Sequence, residues 1–276
     1  MSTQARSLQG TYLDRIVSWH RERAARDLRP LDELIDLARS SPTPRGFARA
    51  IDTDGVAVIA EVKRKSPSKG PLAPTVDAGE LARAYASGGA AAVSVLTDSE
   101  FFSGSPEDVS AVRAACGLPV LRKDFTVDPR DVCDARIMGA DAVLLIVAAL
   151  DRKELRDFIV LSRELAIDAL VEVHDEAELE VALDAGARLV GVNQRDLRTF
   201  RVDPRRASSL AADIPRGVLT VAESGIRGPE DVARLASVGF DAVLVGEHLV
   251  TSPDPRAAVA ALVEAGSARP NDARHG

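Results

Sequence analysis

Glu61 and Lys63 stand two residues apart at the end of an apolar run, residues 56–60. In a strand, residues two apart share a face, so this carboxylate and ammonium lie side by side. The same spacing joins Lys123 to Phe125, Glu172 to His174 and Asn193 to Arg195, and Glu223 closes a further apolar run. An ammonium that can give a proton and carboxylates that can take one are the materials of general acid–base catalysis on a polar substrate. Glu61 and Lys63 alone also read as a structural ion pair, because such pairs occur outside active sites too. Together all of these residues ask for more. Burying that many polar groups is unfavourable without mutual pairing or a ligand, and one polar substrate accounts for all of them at once. His174 carries little weight, since a lone His at such a place more often hydrogen-bonds a neighbour than catalyses.

The elements that must hold these residues form a repeat. Short apolar strands begin near Val56, Ala92, Pro119, Ala142, Ala169, Leu189, Val218 and Ala242, with helical segments between them. Gly88-Gly89-Ala90, Gly139-Ala140-Asp141, Gly186-Ala187 and Gly239-Phe240-Asp241 announce several of the strands. A Gly just past a helix supplies the left-handed turn into the next element. Eight strands, each followed by a helix, predict a (β/α)8 TIM barrel over residues 51–265. A doubly wound sheet would need a Gly-rich turn after its first strand. The turn here is Lys65-Ser66-Pro67-Ser68-Lys69-Gly70, without GxGxxG.

In such barrels the site lies at the C-terminal ends of the strands, where the polar residues above fall. Along the first strand, Ala57, Ile59, Glu61 and Lys63 face one way, and Val56, Val58, Ala60 and Val62 face the covering helices. The fourth strand is wholly apolar and reads as barrel packing. Ser224-Gly225 and Gly246 end the last two strands, and small residues there leave backbone N–H groups open to a phosphate. Phe101 and Phe102 are expected to be exposed in a loop, as a lid or as the wall of an aromatic pocket.

Residues 1–50 precede the repeat and predict a helical extension packed on the barrel. Leu13, Ile16, Val17 and Ala24 recur at helical spacing within residues 11–27, near Trp19. A second helix fits residues 31–38, with Pro30 at its first position. Residues 11–40 are expected to cover the catalytic mouth. Residues 266–276 are polar and read as a disordered tail.

Composition narrows the function classes. The chain has 276 residues, and a hydrophobic content of 46% excludes a disordered protein. A net charge of −7 argues against nucleic acid as a partner while allowing a local basic pocket. Cys116 and Cys133 lack metal or redox spacing and read as buried free thiols. No apolar stretch is long enough to span a membrane, so no membrane partner is expected and the cytoplasm is the expected location.

Glu61-Val62-Lys63 followed by Ser66-Pro67-Ser68 resembles the signature of indole-3-glycerol phosphate synthases. Lys123-Asp124-Phe125, Val171-Glu172-Val173, residues 193–200, Glu223-Ser224-Gly225 and Gly246-Glu247 resemble further blocks of that family, in the family's order. The likeness covers nearly the whole barrel, and the helical extension is similar as well. His248 and Val250 stand where other members often differ, and Ala222 precedes the Glu-Ser-Gly block.

The resemblance implies a carbon–carbon lyase of tryptophan biosynthesis. Its phosphorylated small-molecule substrate joins anthranilate to a deoxyribulose phosphate, closes a five-membered ring, and loses carbon dioxide and water. No cofactor and no metal are implied. Lys123 is implied as the general acid and Glu172 as the base or acid of the dehydration. Lys63 would hold an anionic group, Glu61 would position Lys63 or the anilinic nitrogen, and Asn193 and Glu223 complete the catalytic set. Asn193 and Arg195 would orient the hydroxyls and carboxylate. Phe102 and Phe125 would wall the ring, and Leu244 joins the substrate-binding set. Ser66, Ser224, Gly225, Gly246 and Glu247 would line the phosphate end, the Gly and Glu largely through backbone N–H groups. On that reading, bulk at residue 246 raises KM more than it lowers turnover.

Overall fold

Alternation along the strands separates two cores in the computed structural model, which describes residues 10–67, 69–196, 199 and 201–267. β1 (Ala57–Val62) turns Val58, Ala60 and Val62 towards the surrounding helices. Ala57 and Ile59 join Leu121, Leu144 and Leu170 inside the barrel. Each wholly buried Leu of that interior contributes about 1.5–3 kcal/mol. A short hairpin follows, β2 (Lys65–Ser66) paired antiparallel with β3 (Gly70–Pro71). The barrel continues through β4 (Ala92–Leu96), β5 (Val120–Lys123), β6 (Ala142–Ile146), β7 (Asp168–Val173), β8 (Leu189–Asn193), β9 (Leu219–Glu223) and β10 (Ala242–Val245). All pairings around it are parallel, and β10 closes on β1 with Ala242 opposite Ala57. The architecture is a (β/α)8 TIM barrel.

Strand starts differ from the expected ones by at most a residue. β5 begins at Val120 because Pro119 has no N–H to give the ladder. Gly139 and Gly239 take φ of +93° and +96° and turn the chain into β6 and β10. The Asp two residues after each of these glycines reaches back to the start of the preceding strand. Asp141 accepts from Val120 N at 2.7 Å, and Asp241 accepts from Thr220 N at 2.9 Å.

Three helices precede β1: α1 (Tyr12–Ala25), α2 (Leu31–Ser40) and α3 (Phe47–Ile51). α1 starts at a capping box, in which the Thr11 hydroxyl accepts from Asp14 N and the Asp14 carboxylate accepts from Thr11 N. Its buried Leu13 and Ile16 join the inner core at the C-terminal ends of the strands. α3 plugs the other end with Phe47 and Ile51, and its Ala48 N donates to Asp168 at the start of β7. So α1 alone of the three crosses the mouth, a correction to the expectation that residues 11–40 cover it. Pro30 also sits just before α2, as its N-cap, and not at the first helical position.

The remaining helices are α4 (Ala78–Ser87), α5 (Ser99–Phe102), α6 (Pro106–Ala115), α7 (Pro129–Ile137), α8 (Arg152–Glu164), α9 (Glu176–Asp184), α10 (Arg206–Leu210), α11 (Pro229–Ser237), α12 (Glu247–Val250) and α13 (Pro255–Gly266). α2 packs on α7, burying Leu34 and Ala38 in the outer core. No helix among the described residues is long and apolar enough to cross a membrane. Cys133 is buried and Cys116 only half-buried, and both are free thiols. The tail does not begin at 266 as expected, because Gly266 ends α13, buried, with its carbonyl accepting from Val56 N at 3.0 Å; from 268 onward the tail reading lies outside the described residues.

Candidate active site

A cavity of about 680 Å³ opens at the C-terminal ends of the barrel strands. Every residue singled out from the sequence for catalysis or substrate binding lines it. Strand alternation accounts for the convergence, since the last inward-facing position of each strand points at the barrel axis.

Glu61, at the end of β1, is buried, and its Oε1 accepts from Lys63 Nζ at 2.6 Å. The Tyr85 hydroxyl donates to the Glu61 carbonyl at 3.0 Å and ties this strand end to α4. Lys123 ends β5. Its ammonium lies 3.4 Å from Glu172 Oε2 on β7 and 3.3 Å from Glu223 Oε2 on β9. Asn193 Oδ1 accepts from Arg195 N at 2.9 Å. His174 hydrogen-bonds Glu178 at 3.0 Å and stands 3.6 Å from Glu172, a neighbour to the carboxylate.

These distances split the acidities. Burial pulls the Lys123 ammonium down, but Glu223, Glu172 and Glu61 outweigh it and raise its pKa, so Lys123 keeps its proton at neutral pH. Burial pushes Glu172 up, yet Lys123, His174 and Asn193 together leave it below the usual carboxylate range. Glu223 goes the other way. Burial, with Glu172 and Glu61 adding to it and Lys123 opposing, pushes it up to about 7. One buried carboxylate is thus held ionised while another sits near neutrality, on either side of one ammonium. Environments that push paired groups apart in this way assign acid and base roles.

The end of the cavity expected to take the phosphate has small residues for a reason visible in space. A Cβ on Gly246 would fall against Glu61 Oε1, and 2.8 Å from Lys63 Nζ. It would therefore strike the Glu61–Lys63 pair as well as any anion. Gly225 has φ +77°, and a Cβ there would meet Val202 at 2.5 Å. Ser224 is held left-handed at φ 64°, an uncommon conformation for a residue with a side chain, and Gln194 Nε2 donates to its carbonyl at 2.7 Å. The buried Ser66 hydroxyl accepts from Lys69 N at 3.2 Å, and the Lys69 ammonium pairs with the Glu247 carboxylate.

Phe101 and Phe102 are neither exposed nor in a loop. They form the end of α5, half-buried, because Asp98 caps that helix and accepts from both of their N–H groups. Phe102 stands 6.2 Å from Phe125, ring centre to ring centre, and Phe101 packs edge-on against Tyr12 and Trp19 of α1. β6 does pack the barrel, and its Leu144 and Ile146 also form the cavity floor.

Several contributors escaped the sequence reading. Tyr12 walls the cavity from α1, beside Leu13 and Ile16 of the helix expected over the mouth. Gly191, inside β8, leaves room for Glu223, whose Oε1 a Cβ would strike. Its signal was available, because a Gly within a strand often marks a close approach. Lys69 and His20 carried no local signal, since their side-chain partners lie far along the chain, whereas Asp98 offered a helix N-cap that was not read.

The family model for indole-3-glycerol phosphate synthase matches residues 13–262. The chain belongs to that family. A member from Mycolicibacterium smegmatis, named indole-3-glycerol phosphate synthase, is 51% identical over 259 residues, covering 93% of this chain and 95% of its own. One from Parafrankia sp. with the same name is 55% identical over 226 residues, covering 82% and 84%. The family's barrel has more distant neighbours. A 3-hexulose-6-phosphate synthase shares the fold at a TM-score of 0.63 and 15% identity, covering 76% of this chain and 99% of its own. A thiamine phosphate pyrophosphorylase from Pyrococcus furiosus does so at a TM-score of 0.60 and 17% identity, covering 79% and 96%.

Proposed function

We propose that this chain converts 1-(2-carboxyphenylamino)-1-deoxyribulose 5-phosphate to indole-3-glycerol phosphate, carbon dioxide and water, a step of tryptophan biosynthesis. Family membership supports the overall reaction. The observation that carries the mechanism is the Lys123 ammonium between Glu172 and Glu223 in the cavity at the strand ends.

In this reading Lys123 gives its proton to the ribulose carbonyl oxygen as the ring carbon attacks. The new carbon–carbon bond forms at the carbon bearing the carboxylate, and carbon dioxide leaves from it. The former carbonyl oxygen then departs as water. Lys123, reprotonated by Glu223, gives the second proton as that oxygen departs, and Glu172, held ionised, takes the proton lost from the methylene carbon beside the nitrogen. General acid–base help of this kind contributes about 10²–10⁴-fold. Lys63 holds the substrate carboxylate, and Glu61 fixes Lys63 at 2.6 Å. Asn193 and Arg195 orient hydroxyls and carboxylate.

Binding is divided along the cavity. Phe102, Phe125 and Leu244 take the aromatic ring, as apolar surfaces beside a buried charge. Ser66, Ser224, Gly225, Gly246 and Glu247 take the phosphate. The Glu247 side chain is neutralised by Lys69, which leaves its backbone N–H for the anion. The cytoplasm is the proposed compartment, supported by two free cysteines of the kind a reducing environment maintains.

The test is spectroscopic. Ring closure replaces the anthranilate emission of the substrate by indole emission. Stoichiometric indole appearance is the expected result, and an unchanged anthranilate signal with folded enzyme would reject the proposal.

A further inference from the structure

His20 is wholly buried, although α1 carries charged residues along its outer face. Its Nε2 donates to Asp98 Oδ2 at 2.9 Å and lies 3.8 Å from Asp124 Oδ1. Each of those carboxylates holds a phenylalanine. Asp98 Oδ1 accepts from Phe101 N at 2.6 Å and Phe102 N at 3.1 Å. Asp124 Oδ1 accepts from Phe125 N at 2.8 Å. The other Asp124 oxygen takes Arg122 at 2.9 Å and the Thr97 hydroxyl at 2.5 Å. The imidazole also packs on the Phe125 ring, centre to centre 5.4 Å and tilted 36°. His20, Asp98 and Asp124 are near enough to ligate a cation. Every one of their four carboxylate oxygens, however, already accepts a proton donor, and the buried Arg122 supplies positive charge. The cluster is a hydrogen-bonded brace.

We propose that His20 is a positioning residue for the aromatic end of the substrate, joining α1 to the Asp98 and Asp124 carboxylates that set Phe102 and Phe125 as one preformed ring pocket. The inference rests on the function proposed above. Neither carboxylate touches the cavity's phosphate end, which is built on β9, β10 and the β2–β3 hairpin. Removing the imidazole donor leaves Asp98 buried beside Asp124 with one oxygen unpaired, and unpaired buried charge is costly. The segment free to relieve it is α5, a four-residue helix whose cap is Asp98 itself. Phe102 moves with it. A pocket that must be reassembled on binding binds more weakly than a preformed one.

The prediction separates the two ends of the cavity. Two ligands are titrated: inorganic phosphate, and a substrate analogue whose ribulose carbonyl is reduced to an alcohol, so that it carries ring and phosphate but cannot cyclise. Wild type is measured first. If it neither binds the analogue nor forms indole from substrate, the function reading fails, independently of His20. His20→Phe keeps the packing on Phe125 and removes the donor. It is expected to weaken the analogue about tenfold or more while leaving phosphate within about twofold, and to raise KM more than it lowers kcat. His20→Gln, whose amide N–H reaches towards Asp98, is expected to recover most of the loss. Equal weakening of both ligands by His20→Phe would mean general destabilisation and overturn the proposal. So would unchanged analogue binding, or failure of His20→Gln to recover it. Should His20→Phe not fold, Asp98→Asn is used instead, which leaves one oxygen for the Phe101 and Phe102 N–H groups and turns an NH2 donor towards His20 Nε2 in place of the acceptor. The same selective loss is expected of it, and wild-type analogue binding by Asp98→Asn overturns the proposal.

Discussion

Lys123 and Glu223 meet at 3.3 Å across the barrel, from β5 and β9, which lie on opposite sides of the closed sheet. The contact places a carboxyl pushed up to about 7 against an ammonium that keeps its proton. The pH dependence follows from the sign of that shift. In the folded chain Glu223 binds its proton more tightly than at its ordinary 4.5. The stability this contributes is complete below the ordinary value and is lost as pH rises through about 7. Glu223→Gln imitates the protonated form at every pH. Its stability relative to wild type is therefore expected to improve by ~1–3 kcal/mol between pH 5 and pH 8, read by denaturant unfolding at both. A relative loss over that range would contradict the assignment. Turnover should fall in the same variant.

Gly246 tests the crowding at the base of the proposed phosphate end. A Cβ there meets both members of the Glu61–Lys63 pair. Gly246→Ala is expected to lower kcat at least as much as it raises KM, because the ion pair must shift. Steady-state kinetics decides this, and a pure KM effect would show that the pair tolerates the methyl.

Asp141 is wholly buried away from the cavity. It accepts from Val120 N, from Arg45 N at 2.7 Å and from the Arg113 guanidinium at 2.8 Å, so it binds β5, the chain before α3 and α6 together. Asp141→Ala strands those donors and should cost about 2–4 kcal/mol. KM of the refolded variant should match wild type, and a raised KM with unchanged stability would reverse the assignment of Asp141 to the scaffold.

Much of the site was legible because its residues obey short-range rules. Glu61 and Lys63 share a face by strand period alone, and the glycines at 139 and 239 mark helix ends by a conformation few other residues adopt. Lys123 and Glu172 could be placed at strand ends for the same reason. What was not legible depends on distant pairing. Phe101 and Phe102 looked like exposed loop residues because Phe101 is covered by Tyr12 and Trp19 of α1 and Phe102 stands against Phe125. His20 drew no reading from the sequence, since its partner Asp98 is 78 residues away. α3 looked like more of the same extension as α1, yet it plugs the opposite end of the barrel. The hairpin β2–β3 is too short for any periodic signal.

The central claim is that Lys123 supplies the proton for ring closure. Lys123→Met keeps much of the apolar stem and removes the charge, so it separates proton donation from packing. Single-turnover fluorescence with excess enzyme follows loss of anthranilate and gain of indole in one experiment. The expected result is substrate still bound, its anthranilate signal persisting, and a ring-closure rate lower by about 10²–10⁴-fold or more. Indole formation by folded Lys123→Met at near wild-type rate would contradict the mechanism.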